Sequence, residues 1–267
     1  MAIGEAWFDH ADWCGHTGGI LRLPADEWRL SSDPRGSCPR GGGLWRGLEW
    51  RAGGPGSSAL NVGGDAQITS VSCASAGNCS AGGYYVDGSG GQAFVVSQMN
   101  GTWGTATEVP GTSSLNGTGD AQITSVSCAS AGNCSVGGYY EDASYHHQAF
   151  VVSQVNGTWG NALEVPGTST LNTDGDAHIN SVSCASPGNC SAGGYYRDGS
   201  NNLQAFIVSQ LSGTWNTAIQ VPGTAALNVG GDAQVYSISC ASAGNCSAAG
   251  YYRDSNFAWQ ALVASEQ

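Results

Sequence analysis

A phrase with two cysteines occurs four times in this chain and constrains its fold more than any other feature. It is SCASAGNCSAGGYY at 72–85, and it returns with few changes at 127–140, 183–196 and 239–252, at intervals of 55, 56 and 56 residues. A fixed period of this kind is typical of proteins that stack copies of one supersecondary unit. We therefore expect four copies of one structural unit, which begin near residues 60, 115, 171 and 227.

Each unit contains four segments with a strand pattern, separated by turn signals. In the first unit these segments are AQITSVSCA (66–74), CSAGGYYVD (79–87), QAFVVSQ (92–98) and TWGTATEVP (102–110). The NG after the third segment is the strongest short signal for a hairpin. Four antiparallel strands in about 55 residues make one propeller blade. The sequence thus predicts an all-β protein, a β-propeller with four blades of four antiparallel strands.

The composition of the segments predicts their order in a blade. The first segment is rich in Ser, Ala and Cys, whereas the third and fourth carry Phe, Val and Trp. Small side chains fit an innermost strand that crowds the axis of a ring, and larger ones fit the outer strands. The first segment of each unit is therefore expected to be the inner strand.

The ends of the repeat region predict how such a ring would close. The last unit stops after its third strand, whereas residues 41–61 align with the fourth strand of the other units, with Trp45 opposite Trp103. An N-terminal strand that completes the last blade removes exposed strand edges. We therefore expect a strand at 44–51 to complete a propeller domain at 43–267, after an irregular extension at 1–42. A wider ring, of which the chain holds only a part, is the alternative.

Eight of the ten cysteines form one pair in each unit, with five residues between the partners. Zinc ligands usually come in closer pairs, two to a site, whereas each pair here brackets the turn-forming string ASxGN. We therefore predict a structural disulfide across a hairpin in each unit. The predicted pairs are Cys73/Cys79, Cys128/Cys134, Cys184/Cys190 and Cys240/Cys246.

Stable disulfides indicate an oxidising compartment, so a secreted or extracellular protein is expected. The first ten residues lack the basic patch and apolar core of a signal peptide. The other two cysteines, Cys14 and Cys38, could pair with each other or stay free. The string HADWCGH at 10–16 is either a metal-binding motif or part of the irregular extension.

The charge of the chain narrows the classes of partner. Its net charge is −12, and residues 60–267 hold two arginines against thirteen acidic residues. A surface this acidic repels phosphate backbones, so neither nucleic acid nor an anionic membrane is expected as a partner. No apolar run approaches the length of about 18 residues that a membrane span needs, so no membrane insertion is expected. We expect a monomer that binds a glycan or a cell-surface protein.

Loop geometry predicts where a ligand would bind. In a blade, the loop between strands two and three and the link to the next blade lie at one rim. The repeated strings at that rim, LNxxGDA and YYxDxxxxQ, bring two aspartates, a tyrosine and a glutamine together in each unit. The predicted rim residues are Asp65, Tyr85, Asp87 and Gln92; Asp120, Tyr140, Asp142 and Gln148; Asp176, Tyr196, Asp198 and Gln204; and Asp232, Tyr252, Asp254 and Gln260.

Three interpretations of these rim residues stay open. An aromatic ring beside carboxylates and an amide suits a sugar, and several weak sites on one rim would give avidity. The aspartates could instead bind Ca²⁺, the one cofactor the residues suggest. They could also be purely structural, since Asp often caps a turn and Tyr fills space between sheets. Residues between strands two and three vary most, and there Tyr145, His146, His147, Phe257 and Trp259 add aromatic groups and two histidines that could ligate a metal.

The turn between strands three and four resembles a known motif. It is SQMNGTW at 97–103, SQVNGTW at 153–159 and SQLSGTW at 209–215. With its flanking strands it resembles the Asp-box (BNR-type) repeats of secreted bacterial β-propeller proteins, which include sialidases, although the Asp is replaced and the spacing is one residue shorter. The resemblance implies a propeller that acts on or binds glycans.

Sialidases hold the substrate carboxylate with three arginines, and the repeats offer only Arg197 and Arg253, at equivalent places in neighbouring units. We therefore predict a propeller binding module for carbohydrate or a cell-surface partner, with no catalytic residue assigned. A glycan-active hydrolase or lyase and a plain protein-interaction scaffold are the alternatives. The hydrolase would depend on carboxylates such as Glu108 and Glu164.

Overall fold

The structure is a computed structural model that describes residues 56–266. Every element below belongs to the unit Gly53–Gln267. The predicted extension at 1–42, the predicted closing strand at 44–51, and the cysteines Cys14 and Cys38 all lie outside the described residues. Within residues 56–266, no helix is both long and apolar enough to cross a membrane.

Four antiparallel sheets follow one another along the chain, and we call them blades 1 to 4. Blade 1 holds η1 (Ser57–Ala59), β1 (Ala66–Ser75), β2 (Asn78–Asp87), β3 (Gly90–Met99), β4 (Thr102–Trp103) and β5 (Thr107–Glu108). Blade 2 holds α1 (Thr112–Leu115), β6 (Ala121–Ser130), β7 (Asn133–Glu141), β8 (His147–Val155), β9 (Thr158–Trp159) and β10 (Leu163–Glu164). Blade 3 holds α2 (Thr168–Leu171), β11 (His178–Ser186), β12 (Asn189–Arg197), β13 (Leu203–Leu211), β14 (Thr214–Trp215) and β15 (Ile219–Gln220). Blade 4 holds α3 (Thr224–Leu227), β16 (Ala233–Ser242), β17 (Asn245–Arg253) and β18 (Trp259–Ser265).

The first three strands of each blade match the predicted segments closely, but the fourth is broken. In blade 1, β4 and β5 both pair with β3, and the register shifts by one residue between the pair Gln98–Trp103 and the pair Val95–Thr107. One extra residue in one strand is a β-bulge, which bends the strand locally. The predicted fourth strand is therefore two short pieces with a bulge between them. Blade 4 has three strands among the described residues.

The second strand begins one residue earlier than predicted. In blade 1, β2 begins at Asn78 and not at Cys79, because Asn78 pairs with Ser75 across the turn. Cys79 then lies opposite Cys73 in the register of the two strands. This corrects the predicted boundary at Cys79, and the turn between the strands is only two residues long.

The inner strands of neighbouring blades lie side by side: β1 beside β6, β6 beside β11, and β11 beside β16. Serine side chains join them, because Ser70 Oγ accepts a hydrogen bond from the Val126 N–H at 2.9 Å and Ser72 Oγ accepts one from the Cys128 N–H at 3.0 Å. The same two bonds recur in both later seams. The small polar side chains of the inner strands therefore act as hydrogen-bond partners between blades, in a propeller arrangement.

Glycines on the second strand let the blades approach closely. A Cβ on Gly82 would lie 2.8 Å from Cδ1 of Ile123 in the next blade. Gly137 and Gly193 occupy the same position in blades 2 and 3, and each also faces an isoleucine of the following blade. Blade 4 has Ala249 there, and no further blade follows it among the described residues. The first glycine of the repeated GG thus makes room for a neighbouring blade.

The two ends of the blade series are open. Ile68 and Val71 on β1 are 52% and 59% exposed, whereas their counterparts Ile123 and Val126 in blade 2 are buried. Val263 on β18, at the other end, is 82% exposed. The described residues therefore form four consecutive blades and no closed sheet.

All four predicted disulfides are present within the blades. Each joins the inner strand to the second strand beside a two-residue turn, and the Cα atoms of the partners lie 3.9–4.0 Å apart. Disulfides of this kind are typical of an oxidising compartment. The paired-cysteine phrase is therefore a staple across the innermost hairpin.

The cysteine on the second strand is the buried partner of each disulfide. In blade 1, Cys79 is buried, whereas its partner Cys73 is exposed on the inner strand. The buried partners in the other blades are Cys134, Cys190 and Cys246. Cys79 and its three counterparts are therefore structural groups inside the blades and belong to no surface site.

Candidate functional site

The two rims form as loop geometry predicts. Where the inner hairpin turns, the Gly101 N–H donates to the Gly77 carbonyl at 2.8 Å, so the turns after strands one and three share one rim. At the opposite rim, the His147 N–H donates to the Gly175 carbonyl at 3.0 Å, which joins a strand of blade 2 to the link that leads into blade 3. We call this second rim, made of the loops after strands two and of the links between blades, the linker rim.

The second aspartate and the glutamine of each predicted set have a structural role at the linker rim. In blade 2, Asp142 Oδ1 accepts hydrogen bonds from the N–H groups of Ser144 (2.7 Å) and His146 (3.1 Å). Its Oδ2 accepts one from Gln148 Nε2 at 3.0 Å, and these bonds lower the pKa of Asp142 although burial opposes them. The same arrangement recurs in blade 3 with Asp198 and Gln204, and in blade 4 with Asp254 and Gln260. In blade 1, Asp87 keeps only the bond from a backbone N–H of the turn, that of Ser89. Donors therefore occupy oxygens that a calcium ion would need, and the structural alternative is favoured for these residues.

An asparagine of the following link ties each of the first three loops to the next blade, and two of the three, Asn172 and Asn228, are buried. Asn172 Nδ2 donates to the His147 carbonyl at 3.0 Å and to Gln148 Oε1 at 2.9 Å, and its Oδ1 accepts from the Asp176 N–H at 2.8 Å. Asn116 and Gln92 form the same amide pair one blade earlier. The LN string of the repeat is therefore a hydrogen-bonded joint between blades.

Replacing Asn172 with alanine is expected to destabilise the protein by about 2–3 kcal/mol, because the substitution leaves several partly buried polar groups without partners. Urea denaturation followed by circular dichroism measures the change. Asn216→Ala is the control, since Asn216 is exposed and its substitution should change the stability by less than about 0.5 kcal/mol. Equal stabilities of the two variants would contradict the role of the joint.

The predicted tyrosines do not lie at the rim surface. Tyr85, Tyr140 and Tyr196 are buried in the blade cores, and Tyr252 is half-buried. The Tyr85 hydroxyl donates to Glu108 at 3.3 Å and the Tyr140 hydroxyl to Glu164 at 3.0 Å, so the two glutamates of the hydrolase alternative also have core partners. This corrects the predicted location, because side chains alternate between the two faces of a strand and the preceding tyrosine of each pair takes the other face.

The preceding tyrosines meet charged residues at the seam between blades 2 and 3. We call this cluster the seam site, and its residues are Asp120, Tyr139, Glu141, His147, Asp176, His178, Tyr195 and Arg197. Tyr195 lies opposite His178 across the first two strands of blade 3, and Tyr139 lies opposite Gln122 in blade 2. His147 begins the third strand of blade 2. Of the predicted rim aspartates, the structure brings Asp120 and Asp176 to this seam.

His147 is surrounded by carboxylates. Its Nε2 lies 3.5 Å from Asp120 Oδ2 and 3.6 Å from Glu141 Oε2, and its Nδ1 lies 3.7 Å from Asp176 Oδ1. The nearby carboxylates of Asp120 and Asp176 raise the pKa of His147 to about 9, although burial opposes the shift. The carboxylates on its two sides therefore favour the protonated imidazole.

Asp176 is the most heavily contacted carboxylate of the seam site. Its Oδ1 lies 3.1 Å from His178 Nε2, and its Oδ2 accepts a hydrogen bond from Arg197 at 2.8 Å. The neighbouring His147, His178 and Arg197 hold the pKa of Asp176 well below its usual range. The ligand atoms of His147, Asp176 and His178 all lie within 4.8 Å of one another, the one such group among residues 56–266.

Blade 4 carries a different set of side chains at the equivalent place. Tyr251 and Trp259 pack edge to face with ring centroids 4.6 Å apart, and Tyr236 lies 5.3 Å from Tyr251. The Arg253 guanidinium carbon lies 5.0 Å from the centre of Phe257 and 5.4 Å from that of Trp259. We call these five residues the aromatic patch.

The aromatic patch is accessible and bordered by a carboxylate. Tyr236, Phe257 and Trp259 are 56%, 62% and 57% exposed. The Tyr251 hydroxyl donates a hydrogen bond to Asp232 at 3.2 Å, which places one predicted rim aspartate at the border of the patch. The patch lies at the open end of the blade series, and its Phe257 belongs to the loop after strand two, where Tyr145 of blade 2 is exposed as well.

Comparison with known proteins adds three solved structures of low similarity. One is a Hadza microbial sialidase, Hz136, at 12% identity and a TM-score of 0.48, over 76% of this chain and 46% of that one. Another is a subtype N11 neuraminidase-like protein of A/flat-faced bat/Peru/033/2010 (H18N11), at 14% and 0.40, over 74% and 53%. A third is a protein of unknown function from Dyadobacter fermentans, at 14% and 0.40, over 71% and 57%. The chain spans about half the length of each. No protein-family model and no curated protein matches it.

Proposed function

We propose that this protein is a secreted β-propeller binding module that recognises carbohydrate at its linker rim, through the aromatic patch of blade 4. The observation that carries the proposal is the group of aromatic rings beside Arg253 and Asp232, with Phe257 exposed in its loop at the linker rim. Aromatic faces stack on the C–H faces of sugars, whereas guanidinium and carboxylate groups form paired hydrogen bonds with hydroxyls. The four disulfides support the extracellular location, and the low content of basic residues supports a ligand other than nucleic acid.

We also propose that residues 44–51 complete blade 4 as its fourth strand. The outer edge of β18 has no partner among the described residues. Gly56 has a φ of 74° and precedes η1, just as Gly111 and Gly167 precede α1 and α2. A Cβ on Gly56 would also meet Thr105, just as a Cβ on Gly167 would meet Thr217. The chain before Gly56 would therefore continue into an outer strand, as it does at the other links. Ring closure would also cover Ile68 and Val71. It would bring blade 1 against the seam side of the aromatic patch, whereas Phe257 would stay exposed in its loop, as Tyr145 does beside blade 3.

The alignment of Trp45 with Trp103 gives a testable register for that strand. Trp103 pairs with Gln98, and the counterpart of Gln98 in the last unit is Glu266. In the full chain, Trp45→Cys with Glu266→Cys is expected to form an additional disulfide within one molecule, detected by non-reducing peptide mapping. Trp28→Cys with Glu266→Cys is the control and should stay unlinked. Equal linkage of both pairs, or linkage of neither, would favour the wider ring.

Carbohydrate recognition is tested by applying the labelled full chain to an array of plant, bacterial and animal glycans. We expect binding to at least one class of glycan, and a loss of at least about tenfold in affinity for Trp259→Leu, since aromatic anchors carry much of the energy of small contact surfaces. Leucine stands at the equivalent position in blade 3, so this variant should fold. Tyr145→Asn is the control, because it removes an exposed aromatic ring outside the patch. No binding above background, or equal binding by Trp259→Leu, would overturn the proposal.

A further inference from the structure

Two departures from the repeat meet at the seam site. His178 stands where the other units have Gln67, Gln122 and Gln234. His147 stands where they have Gly91, Leu203 and Trp259. The two histidines come from different blades and are 31 residues apart, yet His178 Nε2 lies 3.2 Å from His147 Nδ1. A regular array of units has therefore acquired a pair of imidazoles at one seam and at no other seam among residues 56–266.

The positions of three atoms in this pair and its neighbour match a metal coordination shell. His178 Nε2 lies 3.1 Å from Asp176 Oδ1 and 3.2 Å from His147 Nδ1, and the third side of the triangle, His147 Nδ1 to Asp176 Oδ1, measures 3.7 Å. Zinc bonds of about 2.0–2.1 Å in a tetrahedron place ligand atoms about 3.3 Å apart. One ion can therefore lie at normal bond lengths from all three atoms without movement of the backbone.

Neighbouring side chains hold these three ligands in place. The His178 ring lies between the rings of Tyr139 and Tyr195, with centroids 4.0 and 5.0 Å away. The second oxygen of Asp176 is bonded to Arg197, which orients the carboxylate. Such outer contacts fix the rings and carboxylates of metal sites and tune their affinity.

The remaining nitrogen of His147 also has the environment of a metal ligand. Its Nε2 faces the carboxylates of Asp120 and Glu141 at 3.5 and 3.6 Å. A metal-bound histidine commonly directs its other N–H to a carboxylate, which fixes the tautomer and raises the basicity of the ligating nitrogen. Nδ1 is then left for the ion.

We propose that His147 Nδ1, Asp176 Oδ1 and His178 Nε2 bind one divalent transition-metal ion such as Zn²⁺ at the seam between blades 2 and 3. Two imidazoles and one carboxylate favour zinc or a similar ion over calcium, which prefers six to eight oxygens. Three protein ligands leave a fourth position for water or a bound molecule. The three side chains are only partly buried, so this position opens to solvent at the linker rim.

The test is calorimetric titration of Zn²⁺ into chelator-treated full chain with its disulfides intact. To exclude a contribution from residues 10–16, all proteins carry His10→Ala, Cys14→Ser and His16→Ala. We expect one ion per chain, and at least about a hundredfold weaker binding for His178→Gln, since loss of a ligand exceeds the effect of losing an outer contact. Glutamine occupies this position in three units, so the variant should fold, as its circular dichroism spectrum in chelator would show.

The matched control is His146→Asn, which removes an adjacent histidine and introduces the residue found at the equivalent position, Asn202. Its zinc affinity should equal that of the parent. Co²⁺ in place of Zn²⁺ should produce the strong visible absorption of a tetrahedral ion in the parent and control, and lose it in His178→Gln. Absence of binding by the parent, or equal affinity in His178→Gln, would overturn the proposal and would show that the cluster is an ion-pair network alone. Neither result bears on glycan binding through the aromatic patch of blade 4.

Discussion

Replacing Gly138 with alanine is expected to destabilise the protein by about 3 kcal/mol or more, near the upper end for a single added methyl group. Gly138 lies on the second strand of blade 2, opposite Ile123 of the inner strand. The next pair is Ser125 with Gly137, so the inner strand has a bulge at Thr124. A Cβ there would lie 1.9 Å from the backbone oxygen of Gln122. Relief of that overlap requires the two strands to separate, because the obstacle is backbone and not a side chain.

The free energy of unfolding of Gly138→Ala, obtained from urea titration, checks this expectation. The control is Gly88→Ala, since Gly88 lies in the loop after β2, has no atom within 4 Å of the added Cβ, and has no left-handed backbone conformation. It should change the stability by less than about 0.5 kcal/mol. If Gly138→Ala were as stable as the control, the pairing of the first two strands would differ from that described.

Reduction of the four disulfides is expected to remove most of the stability of the blades. Each bond closes a short loop, since its cysteines are 6 positions apart, and the chain-entropy model assigns about 2 kcal/mol to a loop of that length. The four bonds lie in different blades, so their contributions add to a total on the order of 8 kcal/mol. Domains are stable by about 5–15 kcal/mol, so the reduced protein should be largely unfolded on mild heating.

Differential scanning calorimetry with and without a phosphine reductant measures this effect, and mass spectrometry after alkylation verifies the number of thiols. The single pair Cys128→Ser with Cys134→Ser serves as a calibration and should lower the stability by about 2 kcal/mol. A reduced protein with an unchanged melting temperature would contradict the stapling role.

Much of the fold could be predicted because the sequence repeats. Alternation, turn signals and the fixed period identified the three long strands of each blade and their antiparallel order, and the cysteine spacing identified the staples. The predicted start of the second strand, at Cys79, is one residue late. Asparagine is common in turns, so the string ASAGN predicts a turn, yet Asn78 pairs with Ser75. The bulge in the outer strand was not predictable from one unit, because TWGTATEVP has the composition of a continuous strand. The break depends on a register mismatch with β3, which only the paired structure reveals.

The site was harder to predict than the fold, for two physical reasons. In the YY pair, either tyrosine could face the core, because two identical neighbours carry no signal for which face each takes. The seam site also joins residues of two blades, and contacts across blades leave no local pattern. The one usable signal was the departure of His147 and His178 from the other units, which a comparison of the repeats with each other would have isolated.

An X-ray structure of the full chain tests the central claim most directly, namely that consecutive units pack as blades through their inner strands. We predict that Ser72 Oγ will lie within hydrogen-bonding distance of the Cys128 amide nitrogen, and that His147 and His178 will face each other across the seam of blades 2 and 3. A structure in which the four sheets share no inner-strand contacts, or stack in a straight line with the two histidines far apart, would contradict it.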